Sequence, residues 1–302
     1  MLKKDEILLI NSADERGKSH LRAFRKKSII TLTFSLAMFA LAVIISNVKA
    51  PSPVKVLFDA GHDEEFSALT SWNTLVSELN KTGMEADSTT AVINDTILEN
   101  YDVFVIGGWA RTNFSQSELT AIEKFANHGG GLLLAYDENA EEVYNGISNA
   151  LQIGITFPSA NPVRNSEGGL AVNITTFEHG HQVFTNVTSF QIMYGHALNL
   201  SGNAKAIAWS SSTDTPSNQP VIAIETHGSG KVLAIGDSNL WNNKDWDGDG
   251  SWDLYDEDNL QLAINIMRWL QAPSEVWAPA PEMVAVSAAV TVGITGGLFA
   301  LS

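Results

Sequence analysis

Short apolar runs alternate with amphipathic segments through the first half of the region between residues 51 and 272. Three continuous apolar runs have the length and residue types of buried strands: 54–58, 101–106 and 131–135. Two segments between them carry apolar side chains at helical spacing: 66–79 and 117–127. This alternation predicts an α/β fold with a mainly parallel, doubly wound sheet and helices on both faces.

The second half of the same region is richer in predicted strands. Four segments have strand character: 190–200, 204–209, 221–226 and 231–235. The Gly-rich segment 227–230 predicts a hairpin turn between the last two strands. An amphipathic helix over 258–270, with Asp258 or Asn259 near its cap, closes the domain.

Two uncharged apolar segments flank this domain. Residues 28–46 run for nineteen positions without a charge or a proline, which is long enough to cross about 30 Å of hydrocarbon. We therefore predict a transmembrane anchor over 28–47, with a cleaved signal peptide as the alternative. Residues 283–302 predict a second transmembrane helix, whose alternative is a loose tail, after a Pro-rich linker over 273–282.

The charge distribution gives these anchors an orientation. Residues 1–27 hold eight of the eighteen Lys and Arg residues against four acids, so the positive-inside rule makes them a basic cytoplasmic segment. The domain at 51–272 is then extracytoplasmic and the protein lies in the cell membrane. The remaining 10 basic and 30 acidic residues give a net charge of −20, which argues against nucleic acid and favours cations or basic partners.

Six N-x-S/T sequons lie between the predicted anchors, where an exported topology would allow glycosylation. They begin at Asn80, Asn94, Asn113, Asn173, Asn186 and Asn199.

A series of short motifs spans about residues 54–270. In chain order they are VLFDAGH, YDVFVIGG, HGGGLLLA, HGHQVFTNV, GSGKVLAIGDSNLW and DNLQLAINIMRWL. In order and spacing they resemble the class I glutamine-amidotransferase-like superfamily, and its non-catalytic branch most. That branch includes the gliding-motility ABC transporter auxiliary domain, the intraflagellar-transport domain and the non-catalytic lumenal subunit of oligosaccharyltransferase.

The resemblance implies a Cys nucleophile after a central strand in the active members. Here that place follows residues 132–135 and reads Tyr136-Asp137-Glu138, and the chain has no cysteine. Catalysis of the superfamily's usual kind is therefore not expected.

Three other side chains are candidates for a cleft at the strand ends. Asp59 and His62 follow the first strand, and Asp237 follows a later one, so the three could do acid–base work or instead cap loops. A metal site at Glu178, His179 and His181 is disfavoured because three crowded neighbours rarely reach ligand geometry; a structural turn is preferred there.

The most specific local motif is the acidic segment DWDGDGSWDLYD at 245–256. Its ligand candidates fall at loop positions 1, 3, 5, 7, 9 and 12: Asp245, Asp247, Asp249, the Ser251 carbonyl, Asp253 and Asp256. Gly250 occupies position 6, where such loops turn sharply, while position 12 is Asp rather than the usual Glu. We predict a Ca²⁺ site, with a solvated acidic loop as the alternative.

Two classes of function remain. The first is a non-catalytic extracytoplasmic scaffold subunit of a membrane complex, either oligosaccharyltransferase-like or associated with ABC export. The second is a glycan-binding protein or hydrolase that uses the strand-end cleft, with Trp109, Trp241, Trp246 and Trp252 as exposed stacking surfaces.

Overall fold

A computed structural model describes residues 52–62, 69–108, 110–158, 160 and 162–271, together with the single positions 22 and 33. The predicted segments 1–27, 28–47, 273–282 and 283–302 therefore lie outside the described residues, apart from those two positions. No helix within the described part of the chain combines the length and the apolar character needed to cross a membrane.

Eight strands form the main sheet, in the order β2-β1-β3-β4-β12-β11-β10-β7. The described residues contain these strands: β1 (Lys55–Asp59), β2 (Glu85–Thr89), β3 (Val103–Gly107), β4 (Gly131–Ala135), β5 (Ile155–Thr156), β6 (Ala171–Ile174), β7 (Thr176–Phe177), β8 (Phe190–Met193), β9 (Asn199–Leu200), β10 (Lys205–Trp209), β11 (Pro220–His227) and β12 (Gly230–Ile235). The pairings from β2 to β12 are parallel, and those from β12 to β7 are antiparallel. The mostly parallel α/β prediction is confirmed.

Helices cover both faces of this sheet. The α-helices of the described residues are α1 (Asn73–Lys81), α2 (Asp95–Leu98), α3 (Gln116–Asn127), α4 (Glu141–Leu151) and α5 (Asn259–Gln271). Alternate side chains of each strand point to opposite faces, so the core forms two layers. One layer packs the strands against α1 and α5, and the other packs them against α2, α3 and α4. This is the arrangement of a doubly wound fold.

The hairpin predicted at 227–230 is confirmed. His227 and Gly230 are paired across β11 and β12, with Gly228 at φ +57°. A Cβ at Gly228 would lie 2.1 Å from Asn127 Oδ1, so the site excludes a side chain as well as favouring a left-handed residue.

The single strand predicted over 190–200 is wrong. The segment divides into β8, which pairs with β6, and β9, which pairs with β5. Tyr194 between them has φ +59°, and the backbone N–H of Met193 donates to Asp237 Oδ2 at 2.7 Å. The carboxylate thus binds the backbone where β8 ends, and the left-handed residue turns the chain away.

Strand β2 was not predicted because its sequence, EADST, has almost no apolar residue. It forms an edge of the sheet, where only Ala86 is buried and the outer face contacts water. The side chain of Asn80 completes this edge: its Nδ2 donates to the Ala86 carbonyl at 3.2 Å, and its Oδ1 accepts from the Ala86 N–H at 2.8 Å.

Candidate functional site

Tyr136 lies directly after β4, in the connection to α4, where the resemblance implies a nucleophile. Its side chain is fully buried, and its hydroxyl donates to the Pro158 carbonyl at 2.9 Å. The ring packs edge-on against Tyr144 at 5.4 Å between centroids. Burial, followed by the nearby carboxylates of Glu141 and Asp137, raises the pKa of Tyr136, so the phenol stays protonated. This arrangement is that of a packing residue.

His196 packs beside Tyr136 and was not identified from the sequence. The ring centroids of the two residues are 5.6 Å apart, at an interplanar angle of 80°. Burial lowers the pKa of His196, so the imidazole is neutral near pH 7. The His196 N–H donates to the Gly236 carbonyl at 2.6 Å, and a Cβ at Gly236 would lie 1.8 Å from the His196 carbonyl oxygen, so the two backbones meet closely where β12 ends.

Asp59 and His62 form a buried pair at the end of β1. His62 Nδ1 lies 2.7 Å from Asp59 Oδ2, and its Nε2 lies 3.3 Å from Oε1 of Glu118 at the start of α3. The ring stacks on Phe114, with 3.6 Å between centroids. The imidazole is therefore held between two carboxylates and an aromatic face. Glu118 is a member of this cluster that the sequence reasoning missed.

Glu118 is bound further by the amino-terminal cap of α3. The Ser115 N–H donates to Glu118 Oε2 at 2.9 Å, and the Ile93 N–H donates to Oε1 at 3.0 Å. Ser115 and Glu118 form a capping box, so Ser115 is the amino-terminal cap of α3. Burial raises the pKa of Glu118, but the Ser115 and Ile93 hydrogen bonds outweigh it, and the net pKa is lowered.

The charge on His62 follows from the same contacts. Burial alone would lower the pKa of His62, but the hydrogen bond and charge of Asp59, together with Glu118, outweigh it and raise the pKa above 6.5. The protonated imidazole is stabilised by its two carboxylates. Both ring nitrogens of His62 thus contact carboxylates inside the protein. This cluster connects the end of β1 to the start of α3.

Asp237 is not brought to this pair. It follows β12, which β3 and β4 separate from β1 by three strand spacings, or about 14 Å. Its carboxylate accepts from the N–H groups of Met193 at 2.7 Å and Asn239 at 2.8 Å. The predicted cleft of three residues is therefore replaced by a buried pair and a separate aspartate that binds backbone.

The turn at 178–181 makes its contacts within the fold. Glu178 forms an ion pair with Lys205, with 3.0 Å between Oε1 and Nζ. The His179 ring packs on Phe177, and His181 Nδ1 accepts from the Val183 N–H at 3.3 Å at the start of a short 3-10 helix.

In the acidic segment 245–256, three carboxylates lie close together on the surface. One carboxylate oxygen from each of Asp245, Asp247 and Asp249 lies within 4.8 Å of the other two, and all three residues are exposed. The Asp245 carboxylate accepts hydrogen bonds from the N–H groups of Gly248 and Gly250 at 2.7 and 3.0 Å, so the backbone of residues 246–250 curves around this carboxylate. Gly250 has φ +97°, the left-handed conformation that the sixth loop position requires.

Two further aspartates of the segment are buried: Asp253 is 1 % exposed and Asp256 is 6 % exposed. Among the described residues, neither Asp253 Oδ2 nor Asp256 Oδ2 has a hydrogen-bond partner. Burial and then neighbouring carboxylates raise the pKa of Asp253 to about 7 and that of Asp256 to about 6. The structure thus brings Asp245, Asp247 and Asp249 together, and the oxygens of Asp253 and Asp256 lie outside this group of three.

Asn259 connects this segment to the core. Its Nδ2 donates to the carbonyls of Asp253, at 2.7 Å, and Leu240, at 3.1 Å. Its Oδ1 accepts from the Gln191 N–H at 2.9 Å, so one buried amide joins the acidic segment, the turn after β12 and β8.

An aromatic surface, defined as Tyr194, Trp246, Trp252 and Tyr255, is exposed beside this segment. Trp252 and Tyr255 stack, with 6.2 Å between ring centroids and 18° between planes, and Tyr194 packs edge-on against Trp246. The expectation that Trp241 is exposed is wrong, because it is fully buried and its Nε1 donates to the Asn259 carbonyl. Trp109 lies outside the described residues.

The six sequon asparagines are all exposed, as glycan attachment requires. Two of them also have structural roles: Asn94 caps α2, and the Asn80 amide binds β2. Glycosylation stays a prediction at Asn80, Asn94, Asn113, Asn173, Asn186 and Asn199.

Part of the domain matches a known family model. Residues 55–167 match the model described as the IFT52 GIFT domain. This range covers less than half of the chain, and no curated protein matches the sequence.

Solved structures share the fold over a larger part of the chain. The mmIFT52 N-terminal domain has a TM-score of 0.60 at 18 % identity, over 74 % of this chain and 100 % of that one. A cytoplasmic protein from Salmonella typhimurium LT2 has a TM-score of 0.53 at 13 % identity, over 72 % and 100 % of the two chains. These likenesses show the fold alone. They do not single out any ABC transporter or oligosaccharyltransferase subunit.

Proposed function

We propose that this chain is a non-catalytic interaction subunit that presents its α/β domain, outside the cytoplasm, to other subunits of a membrane complex. The observation that carries the proposal is the turn after β4. A reacting group there would have to meet a substrate, whereas Tyr136 is fully buried and its hydroxyl is bound to the Pro158 carbonyl.

Membrane attachment rests on the sequence alone. The uncharged segments 28–47 and 283–302 would hold the domain at the membrane, and the basic residues of 1–27 would keep the amino terminus in the cytoplasm. An oligosaccharyltransferase-like complex and an ABC-export system are the two settings that the resemblance suggests.

The aromatic surface is the contact region that we assign to the partner subunit. Aromatic side chains supply most of the anchoring contacts in protein interfaces, and four of them cluster here. The carboxylates of Asp245, Asp247 and Asp249 border this surface, which favours a partner whose facing residues are basic.

Co-purification tests the proposal. The full-length protein, tagged and extracted from its own cells in mild detergent, should retain a fixed set of membrane subunits. The double variant Trp252→Ala/Tyr255→Ala should lose them, while Val92→Ala, which alters an exposed apolar residue elsewhere, should keep them. Isolation of wild type and both variants alike as solitary chains would overturn the scaffold proposal.

Glycan binding is a second candidate, favoured by the stacked Trp252 and Tyr255 rings on the surface. Release of the partner subunits by free oligosaccharide, or by prior removal of their glycans, would assign the surface to sugar recognition. A hydrolase gains no such support, because Asp59 and His62 are buried and Asp237 lies apart from them.

A further inference from the structure

We infer that residues 245–256 form a Ca²⁺ site. The carboxylates of Asp245, Asp247, Asp249, Asp253 and Asp256 and the backbone carbonyl of Ser251 supply its oxygens. This inference is independent of the proposed function, because a metal site in this loop would exist whether the partner is a protein or a glycan.

The three exposed aspartates have the separation that one ion requires. Ca²⁺ binds oxygen at 2.3–2.6 Å, so two ligand oxygens on opposite sides of it lie about 4.8 Å apart. Oxygens of Asp245, Asp247 and Asp249 all lie within this distance of one another. Asp247 and Asp249 each use Oδ1 to accept a backbone N–H, which fixes the direction of the carboxylate.

The buried aspartates provide independent evidence for a ligand. An ionised carboxylate that is removed from water needs a hydrogen-bond donor or a cation. Within the described residues, Asp253 Oδ2 and Asp256 Oδ2 have no hydrogen-bond partner. The Trp246 N–H donates to Asp253 Oδ1 at 3.0 Å, which holds the Asp253 carboxylate against the start of the loop. A divalent cation bound by the loop would satisfy the orphaned oxygens.

The ligand set identifies the class of cation. All of its donors are oxygens, and the segment contains no histidine or cysteine, which disfavours zinc and copper. Ca²⁺ accepts six to eight oxygens in irregular geometry, whereas Mg²⁺ needs a nearly ideal octahedron and keeps several waters. Six candidate donors on one continuous loop therefore favour Ca²⁺.

Ca²⁺ binding would order two neighbouring parts of the domain. The Asp253 carbonyl accepts from Asn259, so an ordered loop fixes the start of α5 and its contacts with β8. Trp246, Trp252 and Tyr255 lie within the loop itself, so the ion also orders three of the four rings of the aromatic surface.

Terbium luminescence and thermal melting of the full-length protein in detergent test the site. Trp246 and Trp252 would sensitise the emission of a Tb³⁺ ion bound in the loop, and Ca²⁺ should displace it far better than Mg²⁺. Saturating Ca²⁺ should raise the melting temperature above that in chelator by about 5–10 °C for a domain of this size.

The matched variants are Asp245→Asn/Asp249→Asn and the control Glu99→Gln/Glu167→Gln, which removes two exposed charges outside the loop. The first should lose both the Tb³⁺ emission and the Ca²⁺ shift and keep the melting temperature seen in chelator. The control should retain both signals. Equal melting in Ca²⁺ and chelator for wild type, or sensitised emission that survives in Asp245→Asn/Asp249→Asn, would overturn the inference.

Discussion

The cluster around His62 and the acidic loop at 245–256 both bury carboxylates, but they compensate them differently. Asp59 and Glu118 surround an imidazole whose pKa they raise, and Glu118 also accepts two backbone N–H groups. Asp253 and Asp256 lie near other carboxylates, and each has one oxygen that binds nothing among the described residues. Buried carboxylates that are neutralised by other groups of the protein stabilise the fold. Buried carboxylates that lie only near other carboxylates indicate a site for a cation from solution.

The largest effect is expected when the internally neutralised cluster is broken. Glu118→Ala removes one of the two carboxylate partners of His62 and leaves the N–H groups of Ile93 and Ser115 without this acceptor. Loss of one member of a buried pair costs about 3 kcal/mol of unfolding free energy. Chemical denaturation should give this same loss in Ca²⁺ and in chelator, because the cluster needs no metal. A loss that appears only in Ca²⁺ would contradict the comparison.

Neutralising Asp253 in the acidic loop should change the unfolding free energy in opposite directions with and without Ca²⁺. In chelator at pH 8, Asp253→Asn removes an uncompensated buried charge and should raise the unfolding free energy by about 1 kcal/mol. In saturating Ca²⁺ the same variant lacks a ligand and should be less stable than wild type. Denaturation curves under both conditions measure this crossover. A change of one sign in both conditions would show that Asp253 is only a packing residue.

The pH dependence of the His62 cluster should separate it from the loop. The folded-state pKa of His62 is raised, so its contribution is complete below pH 6.5 and is lost as the pH rises through the folded value. The groups that face the ring include Asp59, Glu118 and Phe114. As the pH rises from 6 to 9, wild type should therefore lose more stability than His62→Gln.

These measurements are made in chelator, where the loop carboxylates titrate equally in both proteins and cancel in the difference. Parallel pH profiles for wild type and His62→Gln would show that the imidazole does not change its charge in this range.

The smallest effect on stability is expected at the aromatic surface. Trp252 is 46 % exposed, so Trp252→Ala should change the unfolding free energy by no more than about 0.5 kcal/mol. The same variant should reduce Tb³⁺ emission, because a sensitising ring is lost from the loop. Emission that is unchanged both in Trp252→Ala and in Trp246→Ala/Trp252→Ala would place the bound ion away from residues 245–256.

Strands with strong apolar runs could be predicted from the sequence, and those without could not. The predicted ranges for β4, β12, α3 and α5 agree with the structure to within one residue at each end. The sequence signals of the two strands are local, because a strand that is buried on both faces needs a continuous apolar run. Strand β2 lacks that signal because it is an edge strand, and the break at Tyr194 depends on Asp237, which is distant in sequence.

The candidate site divides in the same way. The sequence alone is enough to identify the twelve-residue spacing of oxygen donors, the missing thiol and the adjacency of Asp59 and His62, because these are properties of composition and of short segments. The fold was needed to show that Glu118 completes the His62 cluster, that Tyr136 is packed rather than reactive, and that Asp253 and Asp256 are buried. Burial and charge compensation depend on residues that folding brings together from remote positions, and no local pattern encodes those contacts.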